Sequence, residues 1–287
     1  MASPVIEKFW NDLISDIKSN KITLPALPEV VLKTRKLLDD PNSSATQIAR
    51  AIRIDATIST RMLRLVNSPL YRSDHKIEDV KIAITRLGQR NVRSVITTLA
   101  MEQLYNAAFS KPIKKILRET WEHSAHVAAL SYLIARDYTT HASLDPDEAM
   151  LAGLIHDIGK LPILEYIEVV PDLMINETAM RKVIDILHTR IGRIVLKTWN
   201  FSEDLIEVAS EHENLTRDPG LTPDYTDIVI VANLLTHIGS KHPHTRLDWS
   251  QIPAFKRLGL TPEATIDVIK GAAEEVKEIR DFFTSAS

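Results

Sequence analysis

Apolar residues recur three and four positions apart along nearly the whole chain, and that spacing leaves little room for anything but helices. Leu27, Val30, Val31, Thr34, Leu37 and Leu38 mark one stretch, Ile58, Met62, Leu65 and Val66 a second, and Val92, Val95, Ile96 and Leu99 a third. Val127, Leu130 and Ile134 continue the pattern, as do Ile184, Leu187, Ile191, Ile194 and Val195. A last helix is expected to carry Ile266, Ile269, Ala273, Val276, Ile279 and Phe283 on one face. Prolines fall mostly between these stretches, and only 8 glycines interrupt 287 residues. Ser44, Asp55, Ser202 and Thr261 stand where helix-capping residues belong, with Pro262 suited to a first helical position. The expectation is an all-α fold of two packed helical lobes, residues 1–110 and 111–287, jointed at Phe109-Ser110-Lys111-Pro112.

Composition narrows the function classes. At 44% hydrophobic, the chain can bury a sizeable core. Its 38 acidic and 35 basic residues leave a net charge of only -3, so no global basic footprint for nucleic acid or an anionic membrane exists. Arg61, Arg64, Arg86, Arg90 and Arg93 cluster in sequence and read as a solvated helix face rather than a nucleic-acid surface. Cysteine is absent, which removes disulfides, thiolate metal sites and cysteine nucleophiles. No apolar run approaches the roughly 18 residues of a membrane span, and a cytoplasmic location is expected.

The most informative segment chemically is Leu154-Ile155-His156-Asp157-Ile158-Gly159-Lys160, where a histidine and an aspartate interrupt an apolar run. A buried carboxylate must be paired, hydrogen-bonded or metal-bound. The pair therefore reads either as part of a divalent-metal site or as a polar pair satisfied across a central helix. Glu119 and His123, four apart, share a helix face. His188 and His212 each sit in an otherwise apolar stripe, with Glu211 beside the second. Imidazoles and carboxylates without thiolates suit Fe, Mn, Zn or Ni, as one or two ions, rather than a calcium cage. His126, one turn from His123, reads as neighbouring support or plain surface, and His75, His237, His242 and His244 read as surface residues. Lys160, after Gly159, reads as a lysine at a helix C-terminus.

These motifs carry a family resemblance. His156-Asp157-Ile158-Gly159-Lys160 resembles the HD superfamily of metal-dependent phosphohydrolases, its HD-GYP branch in particular. Trp121-Glu122-His123-Ser124 resembles the segment holding that superfamily's first metal histidine, and His188-Thr189-Arg190-Ile191-Gly192 and Glu211-His212-Glu213 resemble its later histidine segments. Leu24-Pro25-Ala26-Leu27-Pro28, Arg64-Leu65-Val66-Asn67-Ser68-Pro69-Leu70-Tyr71 and Ala83-Ile84-Thr85-Arg86-Leu87-Gly88 are similar to the HDOD family. The resemblance implies metal ligands at His123, His156, Asp157, His188 and His212, with Glu119 and Glu211 as further candidates. Asp157 and Lys160 would be catalytic, the lysine steadying a phosphate. The superfamily's final aspartate falls at Asn233, an uncharged and poorer ligand, and Glu211 replaces one of a pair of histidines. The resemblance thus implies a bacterial signal-transduction module with a protein partner and a metal or nucleotide site. The alternative is an active phosphohydrolase acting on a nucleotide or cyclic dinucleotide.

Overall fold

The computed structural model describes residues 4–19, 21–71, 75–105, 109–138, 144–170 and 176–284. Every regular element among them is helical, so the chain is all-α. In the first half α1 (Pro4–Lys18), α2 (Glu29–Leu38), α3 (Ala45–Arg53) and α4 (Ala56–Val66) precede the long α5 (Val80–Tyr105). Ser44 starts α3 through a reciprocal capping box with Gln47, and Asp55 starts α4 by accepting from the Ile58 N–H at 2.9 Å. Asn67 ends α4: its amide donates to the carbonyls of Leu63 and Ile77 at 2.7 Å each and accepts from the Ile77 N–H. One side chain thus pins the end of α4 to the approach of α5. Gly88 breaks α5 with φ 79°, and the segment beyond it runs buried through the molecule.

The second half opens with α6 (Lys111–Leu133), prolonged by a π turn at Ile134–Tyr138, followed by α7 (Pro146–Ile155) and α8 (Lys160–Glu168). Next come α9 (Glu177–Thr198), α10 (Glu203–Glu211), α11 (Tyr225–Thr236), the short α12 (Pro253–Arg257), α13 (Pro262–Gly271) and α14 (Ala273–Thr284). α6 and α7 lie so close that a Cβ at Gly153 would stand 2.8 Å from the Cα of Ala128. The single last helix expected from periodicity is two, parted at Ala272. Residues 285–287 of the tail lie outside the described residues.

α11 is fixed by a buried charge network. Asp227, fully buried, takes two hydrogen bonds from Arg257, 2.9 Å from Nε and 2.6 Å from Nη2. Asp224 caps the helix by accepting from the Asp227 N–H at 3.0 Å, and Arg217 donates to Asp224 at 2.6 Å and to Glu207 at 2.8 Å.

The two halves share one continuous core. Arg35 of α2 donates to the carbonyls of Trp199 and Asn200 at 2.9 and 2.6 Å, and the Trp199 indole donates back to the Pro25 carbonyl at 2.7 Å. Tyr71 donates its hydroxyl to Asp147 of α7. α1 docks on the second half, with Phe9 5.2 Å from the Tyr166 ring and the Arg190 guanidinium 3.7 Å from the Trp10 centroid. α14 reaches back in the other direction, placing Phe282 under Arg61 and Arg64. The arginines that cluster in sequence do not form one surface. Arg61 is buried against Glu102, Arg86 holds the Tyr71 carbonyl and Arg93 pairs with Asp39. No helix among the described residues is long and apolar enough to cross a membrane.

Candidate metal centre

α7 stops at Ile155, so His156 is its C-cap and Asp157 lies in the turn that joins it to α8. The pair occupies a tight turn between two helices rather than a continuous central helix. Lys160 correspondingly begins α8 instead of closing a helix, which removes any favourable C-terminal dipole as its reason for being there. This turn is wedged against α9. A Cβ at Gly159 would lie 1.9 Å from the His188 carbonyl oxygen and 2.4 Å from the Gly192 nitrogen, so only glycine permits this approach. That contact brings His188 over Asp157.

Four imidazoles converge on the one carboxylate. His188 and His212 place Nε2 3.5 and 3.7 Å from Asp157 Oδ1. On the other side His156 and His123 place Nε2 3.3 and 3.9 Å from Oδ2. His156, Asp157, His188 and His212 are buried, and His123 is half-buried.

Tautomers follow from the outer nitrogens. Nδ1 of His156, His188 and His212 faces the carbonyls of Gly153, Ile184 and Val208 at 2.7, 3.0 and 3.0 Å. A carbonyl only accepts, so each Nδ1 carries a proton, and a ring without a second proton presents a bare Nε2 to the centre. With His188 and His212 in that form, Oδ1 faces acceptors alone. The Nε2 atoms of His188 and His212 stand 3.3 Å apart, lone pair towards lone pair, beside a carboxylate oxygen. Two nitrogens sharing a tetrahedral ion at Zn–N lengths of about 2.0–2.1 Å would be separated by roughly 3.3 Å. The residues present therefore fit a divalent ion.

One orphaned atom agrees: His156 Nε2 is buried without a hydrogen-bond partner. The Oδ2 side differs, because Lys160 Nζ donates to it at 2.5 Å.

Electrostatics point the same way. Burial opposes ionisation of Asp157, yet Lys160 and His156 outweigh it and hold the carboxyl well below its usual range. Burial pushes His188 down to about 4 against the pull of Asp157. Burial and the neighbouring His156 likewise hold His123 well below the ordinary imidazole range. Neutral imidazoles around an ionised carboxylate are the protonation states that metal binding needs.

Two sequence candidates stand apart from this group. Glu119 is exposed and pairs with Lys115 and Arg181 at 3.8 and 4.0 Å. Glu211 accepts from the Asn214 amide at 3.0 Å. Glu213, which the sequence did not single out as a ligand, has a carboxylate oxygen 3.7 Å from His212 Nε2. His126 is half-buried, and burial and Arg280 lower its proton affinity. His237, His242 and His244 are partly exposed, and they lie together in a cluster, with the His237 ring 6.0 Å from that of His123.

The family model of the HDOD domain matches residues 24–215, two thirds of the sequence and most of the site. The chain belongs to the HDOD domain family. Similar solved structures include the Putative metal-dependent phosphohydrolase of Shewanella amazonensis SB2B. It is 27% identical with a TM-score of 0.80, over 97% of this chain and 99% of that one. An HDOD domain protein with unknown function from Geobacter sulfurreducens is 22% identical with a TM-score of 0.72, over 95% and 97% of the two chains, and shows the same fold. An uncharacterized protein of Treponema pallidum (strain Nichols) is 19% identical over 246 residues, 81% of this chain. The HDOD chain spans about half, 46%, of that relative's length.

Proposed function

We propose that this HDOD protein is a bacterial signal-transduction module whose Asp157 pocket binds a divalent transition metal, of the Fe, Mn, Zn or Ni group, and passes its occupancy to a protein partner. The observation that carries the reading is the acceptor-only face of Asp157, where two bare imidazole nitrogens and a carboxylate oxygen meet without a donor. His188, His212 and Asp157 would hold the ion, and His156 and His123 would serve a second one across the same carboxylate. A bound ion of this kind supplies an acidified water and a clamp for phosphate oxygens.

The chain's own residues favour sensing over turnover. Asn233 offers an amide where the superfamily has an acid, and Lys160 already occupies Oδ2. The lobe of residues 1–110 would present the partner surface, since its contacts with the Trp199 turn and with α7 sit close to the elements that carry the ligands.

The second reading is hydrolysis of a nucleotide or cyclic dinucleotide, favoured by the 27% identity with the Shewanella protein bearing a phosphohydrolase name. Lys160 would then leave Asp157 to steady a phosphate.

Elemental analysis of the purified protein, with phosphomonoester, nucleotide and cyclic-dinucleotide assays in Mn2+ or Fe2+, separates the readings. Stoichiometric metal without turnover is expected. Turnover abolished by Asp157→Ala would establish the hydrolase, and full metal content in both His156→Ala and Asp157→Ala would sink the site itself.

A further inference from the structure

A second cluster of imidazoles lies just beyond the Asp157 pocket, on a loop built to hold them together. α11 ends with His237 as its C-cap, and Gly239, with φ 79°, turns the chain back through Ser240, whose N–H donates to the His237 carbonyl at 2.9 Å. Pro243 stiffens the turn between His242 and His244, and the Trp249 indole anchors the His244 carbonyl at 2.8 Å. One ligand nitrogen from each of His237, His242 and His244 lies within 4.8 Å of the others. His244 Nδ1 is buried with no hydrogen-bond partner, a deficit that a bound ion would remove. Burial, with neighbouring imidazoles, lowers the proton affinity of His237 and His242. The Glu213 carboxylate is near enough to act on both and adds the negative charge that a cation needs.

We propose that His237, His242 and His244 form a separate tri-histidine site for a borderline divalent ion, Zn2+ in the first instance, with a fourth position left open. It shares no ligand with the Asp157 pocket. As placed, His237 and His242 lie face to face, centroids 3.7 Å apart and planes 8° from parallel. Stacked rings aim their lone pairs in parallel, so closing on one ion requires one ring to turn. His242 is the ring that turns: it is half-exposed and held by a long 3.3 Å bond from the His244 N–H.

The test dialyses the full chain against Zn2+ and counts bound metal by elemental analysis in the wild type, Asp157→Asn, His242→Gln/His244→Gln, and all three changes combined. The double histidine variant should carry one equivalent fewer than the wild type, Asp157→Asn should keep one, and the combined variant none. Co2+ loaded into Asp157→Asn should give a visible absorption band that vanishes with the histidine changes. The proposal is overturned if the double histidine variant binds as much Zn2+ as the wild type, or if Asp157→Asn binds none while its circular dichroism is unchanged. Full metal content in Asp157→Asn, with one equivalent lost from the histidine variant, would refute the Asp157 pocket and uphold this site.

Discussion

Two buried clusters of charge lie in the second half, and they are satisfied in opposite ways. Around Asp227 every acid meets a guanidinium: Arg257 clasps Asp227 with two bonds, and Arg217 spans Asp224 and Glu207. Around Asp157 one lysine reaches one oxygen, and the other oxygen faces two bare imidazole nitrogens. Burying charge costs several kcal/mol wherever it occurs. A network that closes on itself meets that cost from within the protein and has structure as its purpose. A network left open on one side keeps a place for something else. The difference lies in donor and acceptor counts, not in burial, since Asp157 and Asp227 are both almost wholly enclosed.

Removing the central acid from each cluster separates them most sharply. Asp227→Ala should lose about 3–5 kcal/mol in urea unfolding, because Arg217 and Arg257 lose their buried acid and Arg257 keeps only the exposed Asp218 and the Arg217 carbonyl, and added metal should leave that loss unchanged. Asp157→Ala should cost the metal-free chain less, since Lys160 is partly exposed and can turn to water. Its signature is a lost response, read in the His242→Gln/His244→Gln background: metal at roughly 100 times its dissociation constant should stabilise that parent by about 2.7 kcal/mol and its Asp157→Ala derivative not at all. A metal response surviving in that triple variant would erase the distinction.

Geometry can be perturbed without touching a ligand. Gly159→Ala drives a methyl into the His188 carbonyl, and backbone cannot yield as a side chain does. The loss should approach ~3 kcal/mol, the upper end for overpacking. Metal affinity should fall as well, because α9 carries His188 away from Asp157. Retention of full affinity on calorimetric titration would mean that the turn packed against α9 does not position the site.

The helices were legible because each buries one face, and a period of three and four survives whatever the neighbour is. Ser44 and Asp55 likewise act through local backbone and fall where a cap should. What could not be read is what each face meets. The i, i+4 spacing puts Glu119 beside His123, but the edge of that face turns to Arg181 and solvent. His156 and Asp157 continue the apolar run of α7, so nothing local announces the turn, which is imposed by α9 pressing on Gly159. The division at Ala272 interrupts no apolar pattern, and its two halves share one apparent stripe. His237, His242 and His244 look like loop residues because what gathers them is the turn through Gly239 and Pro243, which no periodicity marks. The convergence of His123, His156, Asp157, His188 and His212 was visible only through family resemblance, as four separate segments supply it.

A third buried acid marks the middle ground. Asp147 is 4% exposed and has neither guanidinium nor open imidazole face; its partners are the Tyr71 hydroxyl and the Asn91 side chain. Burial, with Asp145 nearby, pushes its carboxyl up to about 6 despite those hydrogen bonds. Because the folded value lies above the unfolded one, the folded state keeps a proton that the unfolded chain surrenders first. Its contribution to stability is complete below the unfolded value of about 4 and fades as pH rises through about 6. Asp147→Asn keeps the volume and cannot ionise. Urea unfolding of wild type and variant at steps from acid to neutral pH should diverge by on the order of 1–2 kcal/mol over that interval, with the wild type falling relative to the variant. Parallel curves would mean that Asp147 is ionised when folded, and that the Tyr71 link between the halves is charge-assisted after all.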